Sequence, residues 1–164
     1  MTETLIVTAT VDAPSSAVFE VLADPANHAA IDGTGWLRDA LDSGPLTAAG
    51  QLFRIAMYHD NHPDGHYEMV NKVIAFEPGR VIAWEPGQAD ADGQLEFGGW
   101  TWRYDVEDLG DLEDLGDGQT RVVLTYDWSA VPAVMREHIQ FPPFPESHLH
   151  NSLANLAKLA VSRA

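Results

Sequence analysis

The chain contains no cysteine. Thiol nucleophiles, iron–sulfur clusters, zinc–thiolate sites and a disulfide framework are therefore excluded. Positive charge is scarce too: 9 Lys+Arg stand against 25 Asp+Glu, a formal net charge of −16. So acidic a surface repels a nucleic-acid duplex and an anionic membrane, and neither is expected as a partner. No apolar run approaches the roughly 20 residues that a membrane span requires. The opening Met1-Thr2-Glu3-Thr4 has no basic region, and only Leu5 to Val7 is apolar before polar residues resume. That is no targeting segment, so a soluble cytoplasmic protein is expected. Nothing resembles a nucleophile elbow, a P-loop, a dinucleotide fingerprint or a basic–aromatic nucleic-acid patch.

What is present is globular material. Of 164 residues, 45% are hydrophobic, enough for one domain, 1–164, to bury a core without disulfide or metal staples. Leu5 to Val11 is β-branched and alternating, which predicts a first strand. Asp12-Ala13-Pro14 then opens a helix, with Pro14 at the first helical position and Asp12 as a capping acceptor. Val18, Phe19, Val21 and Leu22 form its apolar stripe, and Pro25 ends it. Pro25 to Ile31 predicts a second short helix, stopped by Gly33 and Gly35.

Strand patterns follow over 36–42, 51–59, 66–76, 80–86, 97–107 and 120–128. Turn chemistry separates them at Ser43-Gly44-Pro45, Pro63-Asp64-Gly65, Glu77-Pro78-Gly79, Ala91-Asp92-Gly93 and Asp117-Gly118. Beyond Pro145 a long helix is predicted from Glu146 to Ser162, with Leu149, Leu153, Leu156 and Leu159 or Ala160 on one face. A curved antiparallel sheet wrapped on that helix buries both apolar surfaces. Residues 107–112 and 113–118 form a near-perfect six-residue repeat where a hairpin loop is expected. Lengthening a solvated loop costs little, and two hexamers cannot build a solenoid.

Several of these segments carry a family resemblance. They are Val11-Asp12-Ala13-Pro14, Val18 to Pro25, His28 to Gly35, Phe76 to Trp84 and Gly118 to Asp127. In that order, with a terminal amphipathic helix, the chain resembles the START/polyketide-cyclase-like (SRPBCC) superfamily and its uncharacterised polyketide cyclase/dehydrase-type subgroup. The resemblance implies an α+β helix-grip fold: a curved seven-stranded antiparallel sheet on a long C-terminal helix, with two short helices after strand 1. It also implies an apolar cavity between sheet and helix, and no metal or other cofactor. The duplicated hexamer is not part of the family pattern.

Period-two alternation says which side chains face that cavity. Trp100, Trp102, Tyr104 and Val106 share one strand face. Phe53, Ile55 and Met57 share another, as do Tyr67, Met69, Asn71 and Val73, and Val122, Leu124, Tyr126 and Trp128. The candidate ligand-binding residues are Phe53, Met57, Tyr67, Met69, Trp84, Trp100, Trp102, Tyr104, Tyr126, Phe141, Phe144, Leu149 and Leu153. Aromatics and methionines with phenol and amide handles suit a planar or lipid-like ligand, and they equally suit a filled core. Phe141-Pro142-Pro143-Phe144-Pro145 predicts an extended, lid-like lead-in at one end of the cavity.

His28 and Asp32, four apart on a short helix, are the candidate catalytic pair. A carboxylate orienting an imidazole makes a general base, with Tyr67 or Tyr104 as donor to a developing enolate. Equally, Asp32 before Gly33 serves as a turn cap. His59, His62 and His66, with Asp60 and Asp64, are the densest set of possible metal ligands, yet they sit at a hairpin tip without zinc-motif spacing, and no metal is expected. His148 and His150 diverge by half a turn and cannot chelate together. The expected function is binding of a hydrophobic small molecule, lipid-, polyketide- or aromatic-like. The alternatives are a cyclase/dehydratase-type enzyme in the same cavity, or an interaction module of the chaperone-cofactor kind with a basic partner.

Overall fold

Strand formers and turn formers alternate along the chain, and the elements follow them. A computed structural model describes residues 3–34, 36–42, 44–58, 65–110 and 118–163. β1 (Thr4–Val11) leads into α1 (Ser15–Ala23), a 3-10 turn over Pro25–Asn27 and α2 (His28–Asp32). Then come β2 (Leu37–Ala40), β3 (Leu52–Tyr58), β4 (His66–Glu77), β5 (Val81–Ala89), β6 (Leu95–Phe97), β7 (Thr101–Gly110) and β8 (Gln119–Asp127). α3 (Ala133–Arg136) and α4 (Glu146–Arg163) complete the order. The sheet runs β1-β8-β7-β5-β4-β3-β2, antiparallel throughout, with the short β6 added beside β5. This is the expected α+β architecture: a curled seven-strand path, a long C-terminal helix and short helices after strand 1.

Four local departures have physical causes. Asp12 does not cap α1; it accepts from Gln119 Nε2 at 2.7 Å, and Pro14 itself is the N-cap residue. The helix predicted from Pro25 divides into the 3-10 turn, where Asp24 accepts from the Ala26 N–H at 3.0 Å, and α2, which Gly33 ends at φ 71°. The strand predicted over 97–107 is broken after Phe97, because a Cβ at Gly99 would lie 2.5 Å from the Ala130 carbonyl. Only glycine allows the chain to pass there at φ 96°. α3 has no buried residue and hence no apolar stripe to announce it. His59, His62, Gly35, Ser43 and most of the duplicated hexamer lie outside the described residues.

The sheet is bent by a bulge in β4. Val73 pairs with Trp84 and Ala75 with Ala83, leaving Ile74 as an extra residue. Before the bulge Tyr67, Met69, Asn71 and Val73 face the concave side; after it Phe76 does, with its ring 5.4 Å from Phe19. The core gathers where α1 and α4 meet β1, β7 and β8, with α2 packed on α4. Leu149, Leu153, Leu156 and Ala160 are buried there at 0–1% exposure. The leucine stripe does not cover the whole concave face. α1 also lies on β7 and β8, so the helices share the concave face and α4 settles on β1 and β8. Among the described residues no helix is long and apolar enough to cross a membrane.

Full burial of a leucine contributes about 1.5–3 kcal/mol by transfer, and truncating one in a packed site costs more because a void remains. Leu153→Ala should therefore lower the unfolding free energy by about 2–5 kcal/mol, read as the midpoint shift in urea at unchanged slope. Ser152→Ala, one position away on a different face of α4, should cost far less.

Candidate functional site

The half of the concave face that the leucine stripe leaves uncovered encloses a cavity of about 340 Å³. Alternation on the strands sets its walls: Phe53, Ile55 and Met57 from β3, Tyr67, Met69 and Asn71 from β4, Trp84 from β5, Trp102 and Tyr104 from β7, and Tyr126 from β8. Opposite them stand Leu22, His28, Ile31 and Asp32 from the first two helices, and His148 and Ser152 from α4. Trp100 and the stretch Ile139, Phe141, Pro143 and Phe144 line one end.

Most of the ring contacts fall in two groups. Trp84 stacks on His28 at 5.0 Å and 15° and on Tyr104 at 5.9 Å and 24°, while Phe53 meets both His28 and Trp84 edge-on. Trp102 lies 4.6 Å from Tyr126 and 5.6 Å from Phe144, and Trp100 lies 5.8 Å from Phe141. Such offset and edge contacts hold the rings apart as walls around a gap. Phe53, Met57, Tyr67, Met69, Trp84, Trp100, Trp102, Tyr104, Tyr126, Phe141 and Phe144 are thus brought together on one cavity. Leu149 and Leu153 are not; they point into the helix-packed core.

The His28–Asp32 pairing does not form. The His28 Nε2–H donates to the Leu22 carbonyl at 2.8 Å, so the ring is fixed by α1 rather than by a carboxylate. Burial holds its pKa below the ordinary 6.5, so His28 is a neutral wall of the cavity. Asp32 instead accepts from the Thr34 N–H at 3.1 Å and from the Thr34 hydroxyl, and its other oxygen lies 3.4 Å from His148 Nε2. The turn-holding role and a histidine partner thus coexist at Asp32, but the histidine comes from α4. His148 is also pushed below 6.5 by burial, opposed by the charge of Asp32. His150 diverges as expected, exposed and 3.9 Å from Glu146.

The polar handles differ in what they have free. Tyr67 accepts from the Trp36 indole N–H. The hydroxyls of Tyr104, Tyr126 and Ser152 have no hydrogen-bond partner among the described residues, yet none is sealed from solvent-sized space, so they open on the cavity. Burial raises both tyrosines, aided at Tyr104 by the nearby Asp32 charge, and keeps them protonated as donors. His148 and Ser152 are among the lining residues that sequence reasoning missed, as are Trp36, Leu37, Pro86 and Gln88. The i, i+4 spacing of His148 and Ser152 beside the leucine stripe was the available signal. His66 is exposed with its ring 4.9 Å from Tyr58; among the described residues no three potential ligands gather for a metal.

No family model matches the chain. Two curated proteins of Mycobacterium tuberculosis, both described as uncharacterised, are 26% identical to it over 152 residues. The match takes in 92% of this chain but spans only 59% of the length of those relatives. Among solved structures, a Mycobacterium smegmatis protein superposes with TM-score 0.64 at 19% identity, covering 99% of this chain and 94% of the other. An aromatase/cyclase from a Streptomyces species gives 0.63 at 19% identity, covering 98% and 94%. A norcoclaurine synthase of Thalictrum, in complex with a transition-state analogue, gives 0.63 at 12% identity, covering 99% and 96%. These likenesses show the fold, the helix-grip fold that such proteins share.

The two buried histidines predict an acid-sensitive fold. Their unfolded pKa is near 6.5 and the folded one lies lower, so the unfolded chain binds protons first. Stability is complete above pH 6.5 and falls as the pH drops through 6.5 towards the lowered values. The exposed carboxylates Glu3 and Asp42, held low by Arg136 and Arg54, act only at more acid pH. Melting temperatures should decline between pH 7 and 5. His28→Gln, whose amide still donates to the Leu22 carbonyl, should decline less steeply.

Proposed function

We propose that this protein binds a hydrophobic small molecule, aromatic, polyketide-like or lipid-like, in the cavity between the sheet and the helices. One observation carries the reading: aromatic walls enclose about 340 Å³ into which the Tyr104, Tyr126 and Ser152 hydroxyls open without a protein partner. A core that merely filled itself would close that volume, because interiors pack to near crystal density. The volume falls in the range of roughly 300–1,000 Å³ usual for small-ligand sites. A fold shared with an aromatase/cyclase and with a synthase that takes a transition-state analogue is in keeping with an occupied cavity.

A second reading, catalysis of the cyclase/dehydratase type in the same cavity, is favoured by one contact. Asp32 lies 3.4 Å from His148 on the wall of the cavity that Tyr104 also lines. Neutral His148 would take the proton, Asp32 would stabilise the imidazolium, and Tyr104 would donate to the enolate oxygen. Among the described residues His28 keeps Nδ1 free while Nε2–H is held by the Leu22 carbonyl, and the Tyr67 hydroxyl accepts from Trp36. His148→Gln should then lower turnover of an aromatic poly-ketone by about 10²–10⁴-fold while leaving its binding within a few-fold.

Native mass spectrometry on gently purified protein tests the binding reading directly. A co-purifying hydrophobic molecule, or mass shifts with added aromatic compounds, is the expected result. Ser152→Phe should fill the cavity from α4, abolish those adducts and leave the melting temperature unchanged or higher. Adducts that survive in Ser152→Phe would place the ligand elsewhere.

A further inference from the structure

Charge inside the cavity is one-sided. Asp32 is the acidic residue of its lining, and no Lys or Arg lines it among the described residues. The arginines whose partners are seen are held on carboxylates elsewhere: Arg54 on Asp42, Arg103 on Asp105, Arg121 on Glu107 and Arg136 on Glu3. Among the described residues Asp32 itself meets Thr34 and His148. His148 Nε2 lies 3.4 Å from one Asp32 oxygen, and burial holds the His148 pKa below its ordinary value against the pull of Asp32.

The face-stacked rings of Tyr104 and Trp84 line the same cavity as this carboxylate. A buried anion next to aromatic faces is the chemistry that recognises an organic ammonium, through charge pairing and cation–π attraction together. A carboxylate or phosphate ligand would instead bring a second negative charge beside Asp32 in a poorly solvated space, with nothing to neutralise it. The net charge of −16 acts the same way at long range, drawing cations toward the protein and slowing anions.

Resting on the proposal that the cavity binds a small molecule, we infer that its ligand is a planar aromatic compound bearing a protonated amine, with the ammonium at Asp32 and the ring among the tryptophans, and that anionic lipids and aromatic acids are excluded. This narrows the ligand class from anything hydrophobic to an aromatic amine. It also assigns Asp32 a specificity role apart from its hold on the Thr34 turn.

Calorimetric titration with three probes of one shape tests it: 1-naphthylmethylamine, 1-naphthalenemethanol and 1-naphthoic acid at pH 7.5. The amine should bind about tenfold or more tightly than the alcohol, with the acid undetectable. Asp32→Asn, whose amide oxygen can still accept from Thr34, should bring the amine down to the alcohol. Equal affinity of amine and alcohol, or tightest binding of the acid, would overturn the inference while leaving the cavity reading in place. No binding of any probe would overturn both. The three-probe comparison on the unaltered protein decides the matter even if Asp32→Asn fails to fold. Retention of the amine preference in a folded Asp32→Asn would also sink it.

Discussion

A curled sheet has one concave face to bury, and here three helices must divide it. α4 has a single leucine face, which it spends on β1, β8 and the first two helices. The rest of the concave surface, across β3, β4, β5 and part of β7, is lined by aromatic side chains whose mutual contacts still leave a gap. That division separates a packed half from an open half. Apolar burial in the packed half supplies the stability that lets the other half keep a cavity, since each lining side chain there forgoes part of its dispersion contacts.

Polar groups join the halves at one seam, where α2 meets α4. Asn155 of α4 donates to the Ile31 carbonyl at 3.1 Å. Gly33 comes so close that a Cβ there would lie 2.7 Å from the Asn155 amide nitrogen. The close approach brings His148, two turns earlier on α4, within reach of Asp32 at the end of α2. A residue that ends a five-residue helix thereby becomes the charged point of the cavity, held by its own turn on one side and by the long helix on the other.

The fold was legible in the sequence because its signals are local. Strand alternation, the Pro14 and Pro25 boundaries and the leucine spacing after Pro145 each act within a few residues. The same period-two rule also brought the aromatic lining onto one surface, since facing is fixed once a strand is recognised. Pairings between elements were not legible. A shared helix face points Asp32 to His28, but the Leu22 carbonyl, six residues back, holds the His28 ring. Likewise the leucine stripe announced that α4 buries one face without saying which strands would receive it. The break at Gly98-Gly99 depended on the approach of Ala130, some thirty residues away in sequence.

The bulge at Ile74 has an evolutionary consequence. Because it reverses the facing of β4, one strand serves two compartments: Tyr67, Met69 and Asn71 line the cavity, and Phe76 packs with Phe19. Drift in the first part of the strand can reshape what the cavity accepts without touching the contacts that hold α1 to the sheet. A lineage can thus explore new ligands on a scaffold whose foldability is insured by a different stretch of the same strand.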